Sequence, residues 1–336
     1  MRWDNLRDAR QPPALFEQGA VARTFDTPGF RGMTFFEVRA RSIINRVPEA
    51  SRVPFRWTIN PYRGCSHACR YCYARNTHTY LDFDAGQDFN SKIVVKVNAP
   101  ELVRRELAGR RWRGEHIAMG TNVDCYQRAE GRYRLMPGIL AALRDAANPF
   151  SILTKGTLIL RDAGLLAEAA EVTDVGLAVS VGSTGEELWR AVEPGTPSPL
   201  RRLEVCATFT GTGLGCGVLM GPVIPFLSDS PAQLDATVRQ IAAAGADYVT
   251  PIVLHLRPGA REWFLGWLRE QHPALVPRYR ALYGRGAYAP RAYQEQIAGQ
   301  VRELAQRYGI GRDAHRRIRP RTAPPPAPGP VQLSLL

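Results

Sequence analysis

Short apolar runs alternate with amphipathic stretches along most of the chain, and this alternation predicts the architecture. Residues 55–60 are rich in aromatic and β-branched residues and indicate a strand, while residues 174–181 form a largely apolar run, as in a strand covered on both faces. Further strands are predicted at residues 93–97, 116–120, 150–154, 217–221 and 248–253, and helices at residues 101–108, 135–147, 162–171, 200–210 and 231–244. Strand and helix alternate about six times with short connections, which predicts an α/β fold with a parallel sheet and crossover helices.

The regions outside this alternation differ from it in composition. Residues 1–50 mix charged residues with short apolar pieces and indicate an N-terminal extension that packs along the core as a strand or an extended arm. Residues 51–258 hold the alternating core, and residues 259–311 are amphipathic, which predicts a C-terminal helical segment. Residues 312–336 are basic and then proline-rich, which predicts a disordered tail.

Length and composition argue against several classes of protein. The chain has 336 residues, of which 45% are hydrophobic, so it can bury a sizeable core. No apolar run of about eighteen residues predicts a membrane span, and the N-terminal residues lack the apolar region of a secretory signal. Six cysteines in a chain of this length do not suggest a disulfide scaffold, and free thiols favour the reducing cytoplasm.

The net charge of +13 comes almost entirely from arginine, since lysine occurs only at Lys92, Lys96 and Lys155. A basic surplus suits a polyanionic partner such as nucleic acid, because phosphate contacts release counterions. A coding preference for arginine explains the same surplus without any partner. Charge alone therefore leaves nucleic acid as one open possibility.

Three cysteines, Cys65, Cys69 and Cys72, form a C-x3-C-x2-C array in the loop after the first core strand. Thiolates select zinc or iron–sulfur clusters over hard cations. A structural zinc site needs a fourth ligand, and His67 is too close along the chain to supply it comfortably. A 4Fe–4S cluster held by three cysteines fits the count better and leaves one iron free for a substrate or cofactor. Zinc, or unpaired structural thiols, remains the alternative.

This spacing, with an aromatic residue just before the third cysteine, resembles the cluster motif of the radical S-adenosylmethionine (radical SAM) superfamily, and the wider string is similar to its spore photoproduct lyase-like branch. The resemblance implies an open, partial (βα)6 TIM-like barrel, although periodicity alone would also allow a doubly wound sheet. It implies that the open iron chelates SAM and that reductive cleavage yields methionine and a 5′-deoxyadenosyl radical for hydrogen abstraction. An electron donor such as flavodoxin or ferredoxin is expected.

The resemblance also implies roles for residues at the carboxyl ends of the strands, which are the catalytic face of such a barrel. Tyr71 is expected near the adenine of SAM, Ser180 near its ribose, and Glu193 beside ribose or substrate. An arginine, Arg201 or Arg202, is expected to pair with the SAM carboxylate. The expected binding residues on the loop after the second core strand are Thr121, Asn122 and Asp124. Each has a structural alternative, such as Asp124 capping an ordinary turn.

Cys125 lies on the same loop as residues 120–124 and is the candidate catalytic residue, as a hydrogen donor or a fourth iron ligand. True spore photoproduct lyases carry a hydrogen-donating cysteine in this loop, but the matching position here is Gly120, which argues against lyase activity on thymine dimers. The expected function is a radical SAM enzyme acting on an unidentified substrate, one option being nucleic acid. The alternative is a zinc- or cluster-containing nucleic-acid-binding protein without catalysis. The sequence does not determine the oligomeric state.

Overall fold

The computed structural model describes residues 19–49, 51 and 53–311. The predicted tail at residues 312–336 and the first part of the predicted extension, residues 1–18, lie outside the described residues. The described strands are β1 (Val21–Arg23), β2 (Thr34–Val38), β3 (Ile44–Arg46), β4 (Trp57–Ile59), β5 (Tyr62–Arg63), β6 (Lys92–Lys96), β7 (Ile117–Met119), β8 (Phe150–Thr154), β9 (Val175–Ser180), β10 (Gly217–Val223) and β11 (Val249–Val253).

The helices pack against the strands of the main sheet and against one another. They are α1 (Gln87–Ser91), α2 (Ala99–Leu107), α3 (Arg128–Tyr133), α4 (Leu135–Asp145), α5 (Ala163–Val172), α6 (Glu186–Val192), α7 (Pro199–Gly211), α8 (Pro231–Ala243), α9 (Ala260–Gln271), α10 (Val276–Tyr283) and α11 (Arg291–Arg307). Short 3-10 helices lie at Pro28–Phe30, Tyr73–Leu81, Thr157–Asp162 and Pro273–Leu275. No helix among the described residues is long and apolar enough to span a membrane.

The main sheet has seven strands in the order β11–β10–β9–β8–β7–β4–β3. The six strands from β4 to β11 in this sheet are parallel neighbours in chain order, whereas β3 pairs antiparallel with β4 at one edge. The register aligns strand ends, because Ile59 pairs with Met119 and Met119 pairs with Ile152. The predicted six-fold strand and helix alternation is therefore confirmed, and the loops that follow the strands meet at one end.

Local sequence explains where the helices start and stop. Ser198 and Ser230 cap α7 and α8 by accepting hydrogen bonds from backbone N–H groups, and a proline occupies the first position of each helix. After α7, Gly213 and Gly215 take positive φ angles and turn the chain into β10. Buried apolar faces then pack α2 against α4, α4 against α5, and α11 against α8 and β11.

One expectation needs correction. The strand predicted at residues 93–97 does form, as β6, but it belongs to a second sheet of four strands in the order β1–β2–β6–β5. The described part of the extension forms strands, which is one of the two forms expected: β1 and β2 join that second sheet and β3 forms the edge of the main one. The physical reason is burial: Phe35 and Ile43 are fully buried in the main core, so these residues complete it.

Candidate functional site

The three cysteines lie where the chain leaves the main sheet after β4 and the short β5, on a loop that ends at the 3-10 helix Tyr73–Leu81. Cys65 and Cys69 are buried and Cys72 is partly buried. All are free thiols. The loop therefore sits at the carboxyl end of the first barrel strand, as the sequence predicted.

Gln127, at the end of the loop after β7, holds the cysteine loop from one side. Its side chain is fully buried. Its Oε1 accepts a hydrogen bond from the Ser66 N–H at 2.9 Å, and its Nε2 donates to the Gly64 carbonyl at 2.9 Å. These two backbone groups flank Cys65, so one amide fixes both sides of the first ligand position. Gly64 itself needs a positive φ of 81° there.

Arg75 holds the other side of the same loop. Its fully buried guanidinium donates twice to the Cys69 carbonyl, at 3.2 and 2.8 Å, and also to the Gly86 carbonyl at 2.7 Å. The group lies 4.7 Å from the ring centre of Trp263, a cation–π contact. Five N–H donors in a planar fork suit this cross-linking of loop carbonyls better than a lysine would.

The electrostatics of the loop favour a soft, positively charged group bound to the thiols. Burial raises the pKa of Cys65 well above its usual range, raises that of Cys69 to about 12, and raises that of Cys72. Thiolates are the metal-binding form, so a metal bound here would supply the compensating positive charge. Nearby cations help, because Lys155 lowers the pKa of both Cys69 and Cys72.

The residues of the loop fit a 4Fe–4S cluster held by three cysteines for two reasons. Thiolates are suitable ligands for such a cluster, and one hydrogen-bond donor beside them is unpaired in the part of the chain that the structure describes. Ser66, between the first two cysteines, has a buried hydroxyl without a hydrogen-bond partner among the described residues. Such a group is costly unless a further acceptor arrives. Within the same part of the chain, no three His, Cys, Asp or Glu side chains converge as ligands of a single ion.

The loop after β7 carries the residues that were expected to contact SAM or substrate. Thr121 Oγ1 lies 3.0 Å from Thr58 Oγ1, and Asn122 is partly exposed beside it. Asp124 is fully engaged: its carboxylate accepts from Thr154 Oγ1 at 2.7 Å and from the Lys155 N–H at 2.6 Å. The structural alternative for Asp124, an ordinary capping role, thus has direct support, while the binding roles stay predictions.

Asp124 also joins the cysteine loop to the end of β8. His67 Nδ1, between the first two cysteines, lies 3.4 Å from Asp124 Oδ2. Burial alone would raise the pKa of Asp124, but His67 and the hydrogen bonds from the start of the next loop lower it to about 2. The carboxylate is therefore charged at any physiological pH. It connects three segments, namely the loop after β7, the cysteine loop and the end of β8.

Ser180, at the end of β9, holds Lys155 in place. Ser180 Oγ accepts from Lys155 Nζ at 2.7 Å and donates to the Gly221 carbonyl at 3.0 Å. The Lys155 ammonium lies 5.9 Å from the ring centre of Tyr71. No carboxylate among the described residues lies within ion-pair distance of Lys155, and its charge lowers the pKa values of Cys69, Cys72 and Glu193.

Glu193 binds protein groups within the site. Its carboxylate accepts hydrogen bonds from the Tyr71 hydroxyl and from the Arg202 guanidinium. Burial alone would raise the pKa of Glu193, but Arg202 and Lys155 hold it below its usual range. Arg202 is fully buried and also donates to the Ser180 carbonyl at 2.7 Å. Glu193 thus orients Tyr71, and a direct contact with ribose stays a prediction.

The pairing expected between an arginine and the SAM carboxylate stays a prediction. Arg202 is tied to Glu193, and Arg201 is exposed and pairs with Glu204 at 2.7 Å. Lys155, whose ammonium lies beside the Tyr71 ring, was not singled out from the sequence. The available signal was its position directly after the third barrel strand, in a chain with three lysines.

A small cavity opens beside Tyr71 at the ends of β9 and β10. Tyr71, Gly182, Glu193, Pro222 and Ile224 contribute to its lining. A Cβ at Gly182 would lie 2.4 Å from the Pro222 carbonyl oxygen, so the two strand ends approach as closely as glycine allows. The volume of the cavity is about 10 Å³, which is room for about one water molecule.

Cys125 and Gly120 are the two positions considered for a hydrogen-donating cysteine in the loop after β7, and the structure bears on each of them differently. Cys125 has 1% of its surface exposed and packs in the main core, so its catalytic role stays a prediction. Gly120 has a φ of 75°, and a Cβ there would lie 1.8 Å from the Leu153 carbonyl oxygen. The backbone therefore excludes a cysteine at the position where true spore photoproduct lyases are expected to carry one.

His255 lies two residues after β11. Its ring packs against Tyr288, with ring centres 4.6 Å apart, and burial lowers its pKa. Cys206 and Cys216 are buried, which is the usual setting of a free thiol that packs as a small apolar group.

Comparisons with known proteins agree with this geometry. The uncharacterized protein Rv2578c of Mycobacterium tuberculosis (strain ATCC 25618 / H37Rv) is 50% identical over 323 residues, covering 96% of this chain and 94% of that protein. The uncharacterized protein MJ0683 of Methanocaldococcus jannaschii is 31% identical over 196 residues, covering 57% of this chain and 69% of that protein.

A solved structure of a mutant spore photoproduct lyase, with bound AdoMet and dinucleoside spore photoproduct, matches with a TM-score of 0.60 at 16% identity. The match covers 82% of this chain and 79% of that one, and it shows a shared fold. The family model of the radical SAM superfamily matches residues 59–241, which include all three loop cysteines. The chain therefore belongs to the radical SAM superfamily, whose members use a 4Fe–4S cluster and S-adenosylmethionine.

Proposed function

We propose that Cys65, Cys69 and Cys72 hold a 4Fe–4S cluster and that SAM binds beside it at the carboxyl ends of the barrel strands. The carrying observation is that one loop there carries three thiols, two buried and one partly buried, next to the Lys155 ammonium and the Tyr71 ring. When bound, cluster and SAM supply a 5′-deoxyadenosyl radical that abstracts a hydrogen atom from substrate.

The chain's own residues would bind and orient SAM. Lys155 would pair with the SAM carboxylate, since its charge has no carboxylate partner among the described residues. Tyr71, held by Glu193, would pack against the adenine of SAM. Ser180 would contact the ribose or keep Lys155 aimed.

Nucleic acid is the substrate class that we propose, and a small acidic electron carrier such as flavodoxin or ferredoxin is the proposed reductant. Support for the substrate comes from the net charge of +13. An oxygen-sensitive cluster and free thiols favour the cytoplasm. Cleavage of a thymine photoproduct by the lyase route is not proposed, because Gly120 cannot carry the cysteine donor.

The test is formation of 5′-deoxyadenosine. The protein is reconstituted with iron and sulfide without oxygen, reduced, and given SAM, with Cys72→Ala as the control. We expect the nucleoside from the wild type and none from the variant. A protein that instead carries one zinc per chain and yields no nucleoside would favour the rival, a nucleic-acid-binding protein without catalysis.

A further inference from the structure

Two exposed tyrosines and an arginine form a ridge beside the cysteine loop. Tyr73 directly follows Cys72 and is 44% exposed, and Tyr288 is 41% exposed. The Arg257 guanidinium lies between their rings, 5.6 Å from the centre of Tyr73 and 5.9 Å from that of Tyr288. Its Nη2 donates to the Tyr288 hydroxyl at 2.8 Å. We call Tyr73, Arg257 and Tyr288 the Tyr–Arg platform.

The platform lies at the catalytic end of the barrel. Arg257 comes four residues after Val253, where β11 ends, and Tyr73 comes directly after the third cysteine. His255 supports the Tyr288 ring of the platform, because the two rings pack edge-on at an interplanar angle of 67°. A ligand on the platform would therefore lie beside the place where the proposed radical forms.

Charge at the platform is positive and uncompensated. Arg257 forms no ion pair with an aspartate or glutamate among the residues that the structure describes. The neighbouring Arg261 donates to the carbonyls of Gly284 and Gly286, so it too is not neutralised by a carboxylate there. The exposed Arg285 lies between those two glycines. An anionic ligand could therefore pair with these arginines without first displacing a carboxylate from them.

We propose that the Tyr–Arg platform binds single-stranded nucleic acid, with a base stacked on a tyrosine ring and a phosphate paired with Arg257. Flat aromatic rings beside an arginine form the usual surface for unpaired bases, and stacking tolerates any sequence. A base within a duplex is already stacked on both faces and is not available. DNA and RNA share this chemistry. The proposal rests on the proposed function, whose substrate class it narrows and locates.

The first test is photo-crosslinking with the reconstituted full chain, kept without oxygen. The probes are oligonucleotides of DNA and of RNA, about 12 nucleotides long to span a typical single-strand site, each carrying one 5-iodouracil, and mass spectrometry locates the adduct. We expect adducts on Tyr73 or Tyr288 with one or both probes. Adducts found only in residues 312–336, or only on the opposite end of the barrel, would overturn the proposal.

The second test measures the dissociation constant of the same oligonucleotides by fluorescence anisotropy. Arg257→Gln and Tyr288→Leu should each weaken binding by about fivefold or more. The matched control is Arg110→Gln, which removes the same charge from an exposed position before β7, at the other end of the strands. Equal weakening by Arg257→Gln and the control would show a merely electrostatic effect and refute the platform.

These results are separable from failure of the proposed function. Formation of 5′-deoxyadenosine is measured on the wild type without nucleic acid. If the chain cleaves SAM but forms no adduct on the platform, only the platform proposal is refuted. If adducts form on the platform but SAM is not cleaved, the platform stands as a binding site and the catalytic proposal is refuted.

Discussion

The Gln127 amide offers a direct way to loosen the cysteine loop without touching a cysteine. Gln127→Met keeps the length of the side chain but removes both hydrogen bonds, to the Ser66 N–H and the Gly64 carbonyl. Each buried backbone group left unpaired costs about 1–3 kcal/mol. The expected loss in the free energy of unfolding is therefore about 2–6 kcal/mol.

The companion substitution Gln127→Glu keeps the size and shape of the side chain and changes its hydrogen-bonding groups and its charge. Glutamate keeps the acceptor for the Ser66 N–H, but its second oxygen faces the Gly64 carbonyl, where the amide had placed a donor. It also buries a negative charge at a side chain whose hydrogen-bond partners are backbone groups of the cysteine loop. We expect a destabilisation at least as large as that of the methionine variant.

The assay combines urea denaturation with the number of irons retained per chain after anaerobic reconstitution and gel filtration. Both variants should unfold at lower urea and retain less iron, because the Gln127 bonds flank Cys65. The matched control is Gln306→Met, at an exposed position of α11, which should change stability by no more than about 0.5 kcal/mol. If both Gln127 variants behave like the control, the claim that this amide positions the cluster loop is refuted.

Three further substitutions probe the strand ends and the sheet. Gly120→Ala should lower the thermal unfolding midpoint far more than Gly114→Ala. Both glycines have a positive φ, but only at Gly120 would the added Cβ meet a backbone oxygen. Equal midpoints for the two variants would contradict this. Lys155→Met should weaken SAM binding by roughly 10- to 100-fold in equilibrium dialysis, whereas Lys92→Met, on a surface pair with Asp88, should not; equal affinities would remove Lys155 from the SAM site. Burial lowers the pKa of Lys96 to about 8, so the unfolded chain binds more protons and stability should rise between pH 8 and about 10.5; this rise should be smaller in Lys96→Met, as measured by urea midpoints across that range.

The sequence predicted the main sheet well because local signals and tertiary burial agree there. The strand at Phe150–Thr154 and the helix at Leu135–Asp145 follow directly from apolar periodicity and packing on one core. The second sheet was not predicted. Its strand Lys92–Lys96 has the same local pattern as a barrel strand, and only its pairing with Thr34–Val38, far back in the chain, decides its sheet. Periodicity carries no information about such partners.

The candidate site divides in the same way. The cysteines were found because their spacing in the chain reflects the chemistry that they share. Lys155 and Gln127 were missed because their roles depend on contacts across the fold: to Ser180, 25 positions away, and to Ser66, 61 positions away. The role expected for an arginine stays a prediction, and the fold adds that a nearby carboxylate, Glu193, already binds Arg202. Side-chain type suggests a role, and only the fold shows whether the group is already engaged.

The contrast between Gly120 and Cys125 bears on how a substrate radical would end. A thiol returns a hydrogen atom only in its protonated form, and burial, Asp124 and Glu130 raise the pKa of Cys125 well above its usual range, so it stays protonated at neutral pH. Its 1% exposure, however, means that the loop after β7 would have to open before the thiol met a substrate. That loop is tied down by Asp124 and by Gln127 at its end. A hydrogen donor outside this loop, the substrate itself or 5′-deoxyadenosine, is therefore easier to reconcile with the structure.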